Sequence, residues 1–368
     1  MKVLYVINDI DFFISHRIEL AIHASKQGDE VYVLGDKYPK LKYENVEFRI
    51  FSIQRASLNL LSNFRSVIQL NKIIKSISPD IVHSITLKSI LLSNFALFFN
   101  KKIKKINAVS GMGYLFTSNR KSGLIFLIKQ ILKILNYFTT PFYIFQNSYD
   151  LNEFKKLGVR ENYTLIKGSG VDPRVYPYHK PKQKDKVNIT FTGRILKDKG
   201  VLDLIQALNK LPETIKSKIV LNLYGKIDLE NPAHISETEI NALLKSNFIL
   251  WHGYSDNIKG VLVQSDIYCL LSYREGLPKS TIEAMAIGRP ILTTNAPGCD
   301  DTVEEGVNGF KVEAGDVDAI SKKLKELIED KALRIKMGKK SRELFEKKFT
   351  LNKVIEQTFS FYNQILKK

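Results

Sequence analysis

The sequence predicts an α/β protein in which two doubly wound, Rossmann-like domains face a central cleft. Its 368 residues exceed the size of a usual single core. Short apolar runs alternate with amphipathic stretches along the chain, as in parallel sheets covered by helices on both faces. A polar segment rich in proline and glycine, 168–186, divides the chain. Open sheets of this type bind ligands at the carboxyl ends of their strands.

The domains predicted from this division are 1–170, 171–350 and a terminal segment 351–368, whose helix near 351–366 could pack back on the first domain. The predicted strands of the first half are Val3–Ile7, Val31–Leu34, Ile81–His83, Ile106–Val109 and Phe142–Gln146, with helices near 15–27, 62–77 and 122–137. Those of the second half are Val187–Thr192, Ile219–Tyr224, Ile267–Leu271 and Ile291–Thr293, with helices near 199–210, 256–265, 279–287 and 317–329.

Charge is the unusual feature of the composition. The chain carries 56 basic and 38 acidic residues, a net charge of +18, and most of the excess lies in its first 185 residues. Such an imbalance predicts an anionic partner, which is a nucleic acid, an anionic lipid or a phosphorylated substrate.

Other bulk features limit the class of protein. Cys269 and Cys299 form no metal-ligand pattern and indicate a reducing compartment. The apolar run near the N-terminus is too short for a signal-peptide core, and no apolar stretch reaches the ~18 residues of a membrane span. We therefore expect a protein that is not integral to a membrane.

The stretch FTGRILKDKG (191–200) follows a predicted buried strand and opens a helix. Gly193 permits a tight turn, and Arg194 and Lys199 flank a helix N-terminus, which already favours anions. These two cations suit a diphosphate, although a solvated basic loop is an equal alternative when the stretch is taken alone. The spacing of a P-loop is absent, and no strand–helix turn carries GxGxxG, which disfavours a dinucleotide oxidoreductase.

The stretch REGLPKSTIEAMAIGRPIL (274–292) contains two carboxylates around a tight turn. Glu275 precedes Gly276-Leu277-Pro278, and Glu283 lies in the apolar helix that follows. A buried glutamate is costly to keep charged unless it is paired or hydrogen-bonded. A carboxylate is a good bidentate acceptor for a ribose diol, so the pair predicts a nucleotide-sugar site together with Arg194 and Lys199.

These motifs resemble those of the retaining GT-B glycosyltransferases of family 4. The resemblance covers essentially the whole chain and is carried by G-R-x4-K-G (193–200), the E-x7-E pair, EAMAIGRPILTT (283–294) and PGCDDTVEEGVNGF (297–310). It implies that Arg194 and Lys199 hold the donor diphosphate. It also implies that Glu275 contacts the transferred sugar and that Glu283 binds the ribose. Backbone groups around Leu277, Pro278 and Lys279 would meet phosphate or sugar, and Tyr254, in WHGYSD (251–256), is a weaker candidate beside the base.

The first half resembles a bacterial subgroup that builds surface polysaccharides and lipid-linked oligosaccharides. The resemblance lies in FFISHRIELAIHASKQGDEV (12–31), DIVHSITLKS (80–89) and NAVSGMGYLFTS (107–118). It implies an acceptor sugar on undecaprenyl diphosphate. The residues expected on the acceptor side are His16, Arg17, His83 and Lys88, together with the anion-binding or close-approach segment Ser110, Gly111, Met112 and Gly113.

Two departures from the family pattern concern the mechanism. The loop after the first strand is Asn8-Asp9-Ile10-Asp11 where many members have a glycine pair, and no histidine stands in the Ser110-Gly111 segment. A mechanism that relies on that histidine is therefore in doubt. In retaining members the leaving phosphate is often thought to accept the acceptor proton, which requires charge stabilisation at the diphosphate more than a nucleophile. Glu275 and Glu283 are accordingly not expected to act as the acid and nucleophile of a hydrolase.

The basic first half also predicts a membrane surface. The apolar stretch GLIFLIKQILKILNYF (123–138) is surrounded by basic residues, which are those of NKKIKK (100–105), Arg120-Lys121, Lys129 and Lys133. An apolar segment among basic residues suits the surface of an anionic bilayer. An ordinary helix with one buried face and solvated lysines is the alternative.

The function expected is transfer of a sugar from a UDP-sugar to a polyprenyl-diphosphate-linked acceptor at the cytoplasmic face of the membrane. An N-acetylhexosamine donor is favoured by resemblance to members that transfer N-acetylgalactosamine. No cofactor, metal or nucleic acid is expected. The alternatives are a GT-B epimerase of UDP-N-acetylglucosamine, which requires catalytic carboxylates and histidines not found here, and a basic nucleic-acid-binding protein, which leaves the Glu pair unexplained.

Overall fold

The computed structural model describes residues 1–51, 60–111, 123–181, 185–229, 231, 233–239, 244 and 246–367. It confirms the predicted α/β class, with two Rossmann-like units that each contain a parallel sheet. One unit comprises Met1–Ser169 with Lys353–Lys368, and the other comprises Gly170–Asn352.

The sheet of the first unit has, in the described residues, the strand order β3-β2-β1-β4-β5-β6-β7. Neighbouring strands pair in parallel, for example Val3 with Val31 on one side and with Ile81 on the other. The strands are β1 (Lys2–Val6), β2 (Glu30–Gly35), β3 (Val46–Ile50), β4 (Ile81–Ile85), β5 (Lys104–Val109), β6 (Phe142–Phe145) and β7 (Tyr163–Leu165).

The helices that accompany this sheet are Ile10–His16, Ile18–Lys26, Leu60–Ile77, Leu87–Ala96, Gly123–Thr139, Ser148–Lys155 and Leu351–Leu366. The sequence predicted one helix over 15–27, whereas the structure has two helices there, Ile10–His16 and Ile18–Lys26. The backbone at Arg17 (φ −136°, ψ −9°) leaves the helical region between them. The terminal helix adds Val354, Tyr362 and Ile365 to the core built on Val3 and Tyr5.

The sheet of the second unit has, in the described residues, the order β10-β9-β8-β11-β12-β13. Its strands are β8 (Val187–Thr192), β9 (Ile219–Tyr224), β10 (Ile249–Trp251), β11 (Ile267–Leu270), β12 (Ile291–Thr294) and β13 (Gly309–Val312). Its helices are Val201–Asn209, Glu213–Lys216, Ile258–Gln264, Lys279–Ile287, Val317–Glu329 and Lys331–Lys348, with short 3-10 turns at Lys197–Lys199 and Asp300–Thr302.

Each sheet reverses its strand order at one place, between β1 and β4 in the first unit and between β8 and β11 in the second. Loops that leave the carboxyl ends of two such neighbours diverge to opposite sides and leave a crevice where ligands bind. A ligand-binding site is therefore expected at these two switch points. None of the helices in the described part of the chain is long and apolar enough to span a bilayer.

Candidate active site

The switch point of the second unit joins the two loops that the sequence singled out. The first loop follows β8 and carries Arg194 and Lys199, and the second follows β11 and carries Glu275. The backbone N–H of Tyr273 donates to the carbonyl of Asp198 over 2.9 Å, and the hydroxyl of Ser272 donates to the same oxygen over 3.0 Å. The two motifs are thus fixed to each other by hydrogen bonds.

Lys199 and Glu275 form an ion pair, with side chains 17% and 15% exposed. Arg194 is half-exposed and donates to Asp228 over 2.7 Å. Both cations therefore have a carboxylate partner within the protein. An arriving diphosphate would compete with these carboxylates for the same N–H groups.

Two glycines fix the position of this ion pair through close contacts between backbone segments. Gly200 has φ +67°, and a Cβ there would lie 2.1 Å from the carbonyl oxygen of Leu271 at the end of β11. Gly298 has φ +79°, and a Cβ there would lie 2.5 Å from the carbonyl oxygens of Glu275 and Gly276. Since real Cβ atoms do not approach backbone so closely, any side chain at either position would displace the loops.

Asp198 belongs to this cluster, although the sequence analysis did not select it. Burial raises the pKa of its carboxyl group, Lys199 and Arg194 oppose that shift, and Glu275 adds to it. Its position inside the basic motif, directly before Lys199, is the signal that could have identified it.

Glu283 lies on helix Lys279–Ile287, which starts after Pro278. Proline offers no side-chain group to cap the first N–H groups of a helix, which leaves this end suited to an anion. The Glu283 side chain is 11% exposed, and the Lys279 ammonium lies 3.6 Å from its carboxylate. Burial raises the pKa of Glu283, whereas Lys279 and a hydrogen bond from Tyr176 act in the opposite direction. Gly276, Leu277 and Pro278 are buried in front of this helix.

The loops after β9 and β10 carry the aromatic candidate Tyr254. The Lys226 ammonium lies 4.6 Å from the centroid of its exposed ring. Gly225 donates to the carbonyl of Gly253 over 2.7 Å and accepts from the indole N–H of Trp251 over 2.9 Å. A Cβ at Gly225 would lie 1.7 Å from the carbonyl oxygen of Gly193. The Tyr254 loop is therefore connected through Gly225 to the start of the Arg194 loop.

The switch point of the first unit carries polar groups at the ends of β1, β4 and β5. Thr86 follows β4 with φ +78°, a region that costs a β-branched residue energy, and its hydroxyl donates to Asn8 over 2.7 Å. Lys88 lies two residues further along the chain, and partial burial lowers its pKa. Ser110 and Gly111 follow β5, and Gly111 has φ +98°. Sequence reasoning missed Asn8 and Thr86, while the expected residues Met112 and Gly113 lie outside the described residues.

The remaining acceptor-side candidates differ in exposure. His16 ends helix Ile10–His16 half-buried, stacked on Phe12 with a centroid distance of 4.2 Å. Arg17 is 4% exposed and donates to the carbonyl of Gly168 over 3.3 Å, and burial lowers its pKa to about 10. His83 is 1% exposed and hydrogen-bonds to Tyr362, and burial lowers its pKa to about 3.

The side chains of Arg17 and His83 are enclosed in the first unit. Arg17 connects the first helices to the segment near Gly168, and His83 connects β4 to the terminal helix. Their role on the acceptor side stays a prediction.

Within the described residues, no three His, Cys, Asp or Glu side chains are grouped as metal ligands would be. Arg194 and Lys199, the cations that the sequence predicts to hold a diphosphate, both lie in the loop that follows β8.

The fold and this site define a glycosyltransferase of the GT-B architecture. The family model described as "Glycosyl transferases group 1" matches residues 177–344, and the model described as "Glycosyl transferase 4-like" matches residues 2–147. Both models describe glycosyltransferases, which confirms the resemblance stated from the sequence and its expectation of an enzyme.

Two curated relatives align over nearly their whole length. The capsular polysaccharide biosynthesis glycosyltransferase CapM of Staphylococcus aureus is 28% identical, with 93% of this chain and 92% of the relative covered. The N,N'-diacetylbacillosaminyl-diphospho-undecaprenol alpha-1,3-N-acetylgalactosaminyltransferase of Campylobacter jejuni is 26% identical, with 92% of each covered. Among solved structures, Anabaena HepE in complex with UDP superposes with a TM-score of 0.79 at 17% identity, over 99% of this chain and 100% of that one. That likeness supports the GT-B fold.

Proposed function

We propose that this glycosyltransferase is a retaining enzyme that moves a sugar from a UDP-sugar to a sugar on undecaprenyl diphosphate. The observation that carries the proposal is the grouping of Arg194, Lys199 and Glu275 at one switch point, next to the helix of Glu283. Two cations, a carboxylate and an uncapped helix end match the charges of a nucleotide diphosphate and the hydroxyl groups of a sugar.

In the proposed donor complex, Arg194 and Lys199 exchange their carboxylate partners for the diphosphate. Glu275, released from Lys199, then accepts hydrogen bonds from hydroxyls of the transferred sugar. The backbone N–H groups of Leu277 and Lys279, on either side of Pro278, face phosphate or sugar. The Glu283 carboxylate accepts hydrogen bonds from the ribose hydroxyls. Gly193 and Gly276 allow the close approach of backbone to ligand, and Tyr254 lies beside the base.

The proposed chemistry depends on charge stabilisation at the leaving group. As the bond from the sugar to the diphosphate breaks, negative charge grows on the leaving oxygen, and Arg194 and Lys199 stabilise it. The same oxygen accepts the proton of the attacking hydroxyl on one face of the sugar, which retains the anomeric configuration. No side-chain nucleophile or metal enters this scheme.

The acceptor assignment follows the relatives. The Campylobacter jejuni relative is named for an acceptor on diphospho-undecaprenol, and it aligns over 92% of this chain. We propose that Lys88, Ser110, Gly111 and Gly113 contact an acceptor of the same class, with His16 at the rim and Thr86 beside Lys88. The name of that relative also favours an N-acetylhexosamine as the donor sugar.

We further propose that the first unit binds an anionic membrane surface, so that the enzyme works peripherally at the inner face of the cytoplasmic membrane. Helix Gly123–Thr139 buries Leu132 and Leu135 yet also exposes large apolar side chains. Phe99, 93% exposed, packs against Phe98, which contacts Phe138. The exposed apolar residues on this helix are Phe126, Leu127, Ile134, Tyr137 and Phe138.

Exposed lysines accompany this apolar surface and complement anionic headgroups. Lys101 and Lys102 are exposed, as is Lys133 on the helix itself. Lys105, which the sequence analysis grouped with them, is buried and donates to the carbonyl of Asn100 over 3.1 Å. Arg120 and Lys121 lie outside the described residues. A charged lipid surface accounts for the basic character of this unit, so no nucleic-acid partner is proposed.

The test is mass spectrometry of products from a panel of UDP-sugars offered with undecaprenyl-diphosphate-linked sugar acceptors. We expect one UDP-sugar to give a glycosylated lipid of the same anomeric configuration as the donor. An inverted product would contradict the retaining mechanism, and conversion of the UDP-sugar without an acceptor would favour the epimerase.

A further inference from the structure

We infer that Tyr176 is a positioning residue, which orients the Glu283 carboxylate for the ribose diol of the donor nucleotide. The inference rests on the proposed role of Glu283 and adds a residue that lies about a hundred positions away in the sequence. Tyr176 belongs to the segment 176–179, which precedes β8. Glu283 adds to the rise that burial causes in the pKa of the Tyr176 hydroxyl, and Tyr176 lowers the pKa of Glu283, so the two side chains act on each other.

The segment 176–179 is held against the helix that carries Glu283. One nitrogen of Arg342 donates both to the carbonyl of Tyr176, over 2.9 Å, and to the carbonyl of Ala286, over 2.7 Å. His179 donates its backbone N–H to the carbonyl of Ile287 over 3.0 Å. Tyr176 therefore has a fixed position relative to helix Lys279–Ile287.

The same attachment is reinforced at the C-terminal end of that helix. Arg289, fully buried, donates to the carbonyl of His179 over 3.0 Å. Gly288 has φ +88°, and a Cβ there would lie 2.5 Å from the ring of Tyr178. These contacts fix the backbone at both ends of the segment. The Tyr176 side chain therefore starts from a fixed point relative to the helix of Glu283.

The bonding capacity of the carboxylate suits a shared role. An ionised carboxylate accepts at about four lone-pair sites. Tyr176 and Lys279 approach Glu283 from two sides, which leaves about two sites, the number that a ribose diol requires. Tyr176 thus fixes one rotamer of Glu283 and favours its ionised form without itself touching the nucleotide.

Groups on three different elements interact electrostatically with Glu283. Lys279 on its own helix and Tyr176 on the segment 176–179 lower the pKa of Glu283, and the charge of Glu283 raises the pKa of Tyr268 on β11. Because the Tyr176 hydrogen bond opposes the effect of burial on Glu283, Tyr176→Phe should shift the acidic loss of UDP affinity to higher pH.

The test is calorimetry of UDP and of 2′,3′-dideoxy-UDP with the full chain. We expect Tyr176→Phe to weaken UDP binding about five- to tenfold, the net scale of one ordinary hydrogen bond, and to leave the dideoxy nucleotide unaffected. In a Glu283→Ala background the same substitution should have no further effect. Tyr178→Phe, the same change two positions away, should bind both nucleotides as the unsubstituted protein does.

Two results would overturn the inference in distinguishable ways. Equal losses for both nucleotides in Tyr176→Phe, or additive losses in the double variant, would mean a general packing role for Tyr176, while the ribose contact of Glu283 stands. Equal affinity of the unsubstituted protein for UDP and its dideoxy analogue would remove the ribose contact itself, and the role of Tyr176 with it.

Discussion

The Lys199 ammonium and the Glu275 carboxylate form an ion pair across 76 positions of the chain. In the proposed donor complex each group must release the other, so the ion pair holds both side chains in place until the nucleotide arrives. The diphosphate then replaces the Glu275 carboxylate as the partner of Lys199.

Lys199→Ala should lower kcat by about 10²–10³-fold, because the leaving diphosphate loses a fixed positive charge. Initial rates with saturating donor would measure this. Lys210→Ala is the matched control, since Lys210 pairs with Asp318 on the exposed surface of the same unit. A Lys199→Ala enzyme as active as this control would contradict a role at the diphosphate.

Glu283→Ala should weaken UDP binding by about 1–3 kcal/mol, the scale of lost hydrogen bonds to a charged group. Calorimetry measures the affinity, and circular dichroism checks that the fold is intact. The control is Glu326→Ala, which removes an exposed glutamate that also pairs with a lysine on its own helix. Unchanged UDP affinity would defeat the assignment of Glu283.

Glu283→Gln should raise the free energy of unfolding at pH 8 relative to the unsubstituted protein. Burial raises the pKa of Glu283 in the folded state above its unfolded value, so the folded state binds more protons as this group titrates. Stability then falls as pH rises through that window, and glutamine removes the loss.

The advantage of Glu283→Gln should shrink as pH falls below the ordinary glutamate range, where both proteins carry a neutral group. Urea unfolding at several pH values measures it, with the exposed Glu326→Gln as control. If Glu283→Gln instead destabilised the protein at pH 8 and less so at low pH, Glu283 would contribute favourable contacts in its charged form.

Activity should survive EDTA, because Arg194 and Lys199 supply the positive charge that a metal would otherwise bring to the diphosphate. The measurement is turnover after chelation and gel filtration. Complete loss, restored by a divalent ion, would mean that the leaving group is stabilised in another way.

Binding to anionic liposomes should fall as salt rises, since the Debye length shortens from about 10 Å at 0.1 M to about 3 Å at 1 M. Reversal of Lys101, Lys102 and Lys133 to Glu should weaken it further, each lysine near the surface contributing about 1 kcal/mol. Flotation with vesicles of defined charge measures both effects.

The control for the membrane prediction reverses three lysines of the other unit, Lys210, Lys322 and Lys325, which are exposed. The Lys101, Lys102 and Lys133 variant should lose activity on a long-chain lipid acceptor in membranes but keep it on a short, soluble analogue. Equal losses on both acceptors would place these lysines in the site or the fold. Salt-insensitive binding to neutral and anionic vesicles alike would leave the apolar surface alone responsible.

The sequence predicted the inner strands well and missed those at the sheet edges. Val187–Thr192 and Ile219–Tyr224 have the predicted bounds, because apolar residues dominate strands that are buried on both faces. The strands without a prediction are β3, β7, β10 and β13, which are the edge strands of the two sheets. Edge strands are short and partly exposed, and their apolar pattern is correspondingly weak.

For the site, the sequence predicted which loops meet but not which side chains pair. Parallel strands at a switch point bring the Arg194 and Glu275 loops together whatever their separation in the chain. Arg194 pairs with Asp228, and Glu283 interacts with Tyr176 as well as with Lys279 on its own helix. These partners depend on side-chain positions that no local sequence pattern records. The burial of Arg17 at a helix break and of His83 on the central strand β4 was likewise not predicted.

The indole of Trp251, bonded to the carbonyl of Gly225, gives this enzyme a built-in optical reporter. The chain contains one tryptophan, so its intrinsic emission comes from a single known place. That place is the loop pair next to Tyr254, where we expect the uracil ring to lie. Donor binding can therefore be followed by fluorescence in real time, without a label and without turnover.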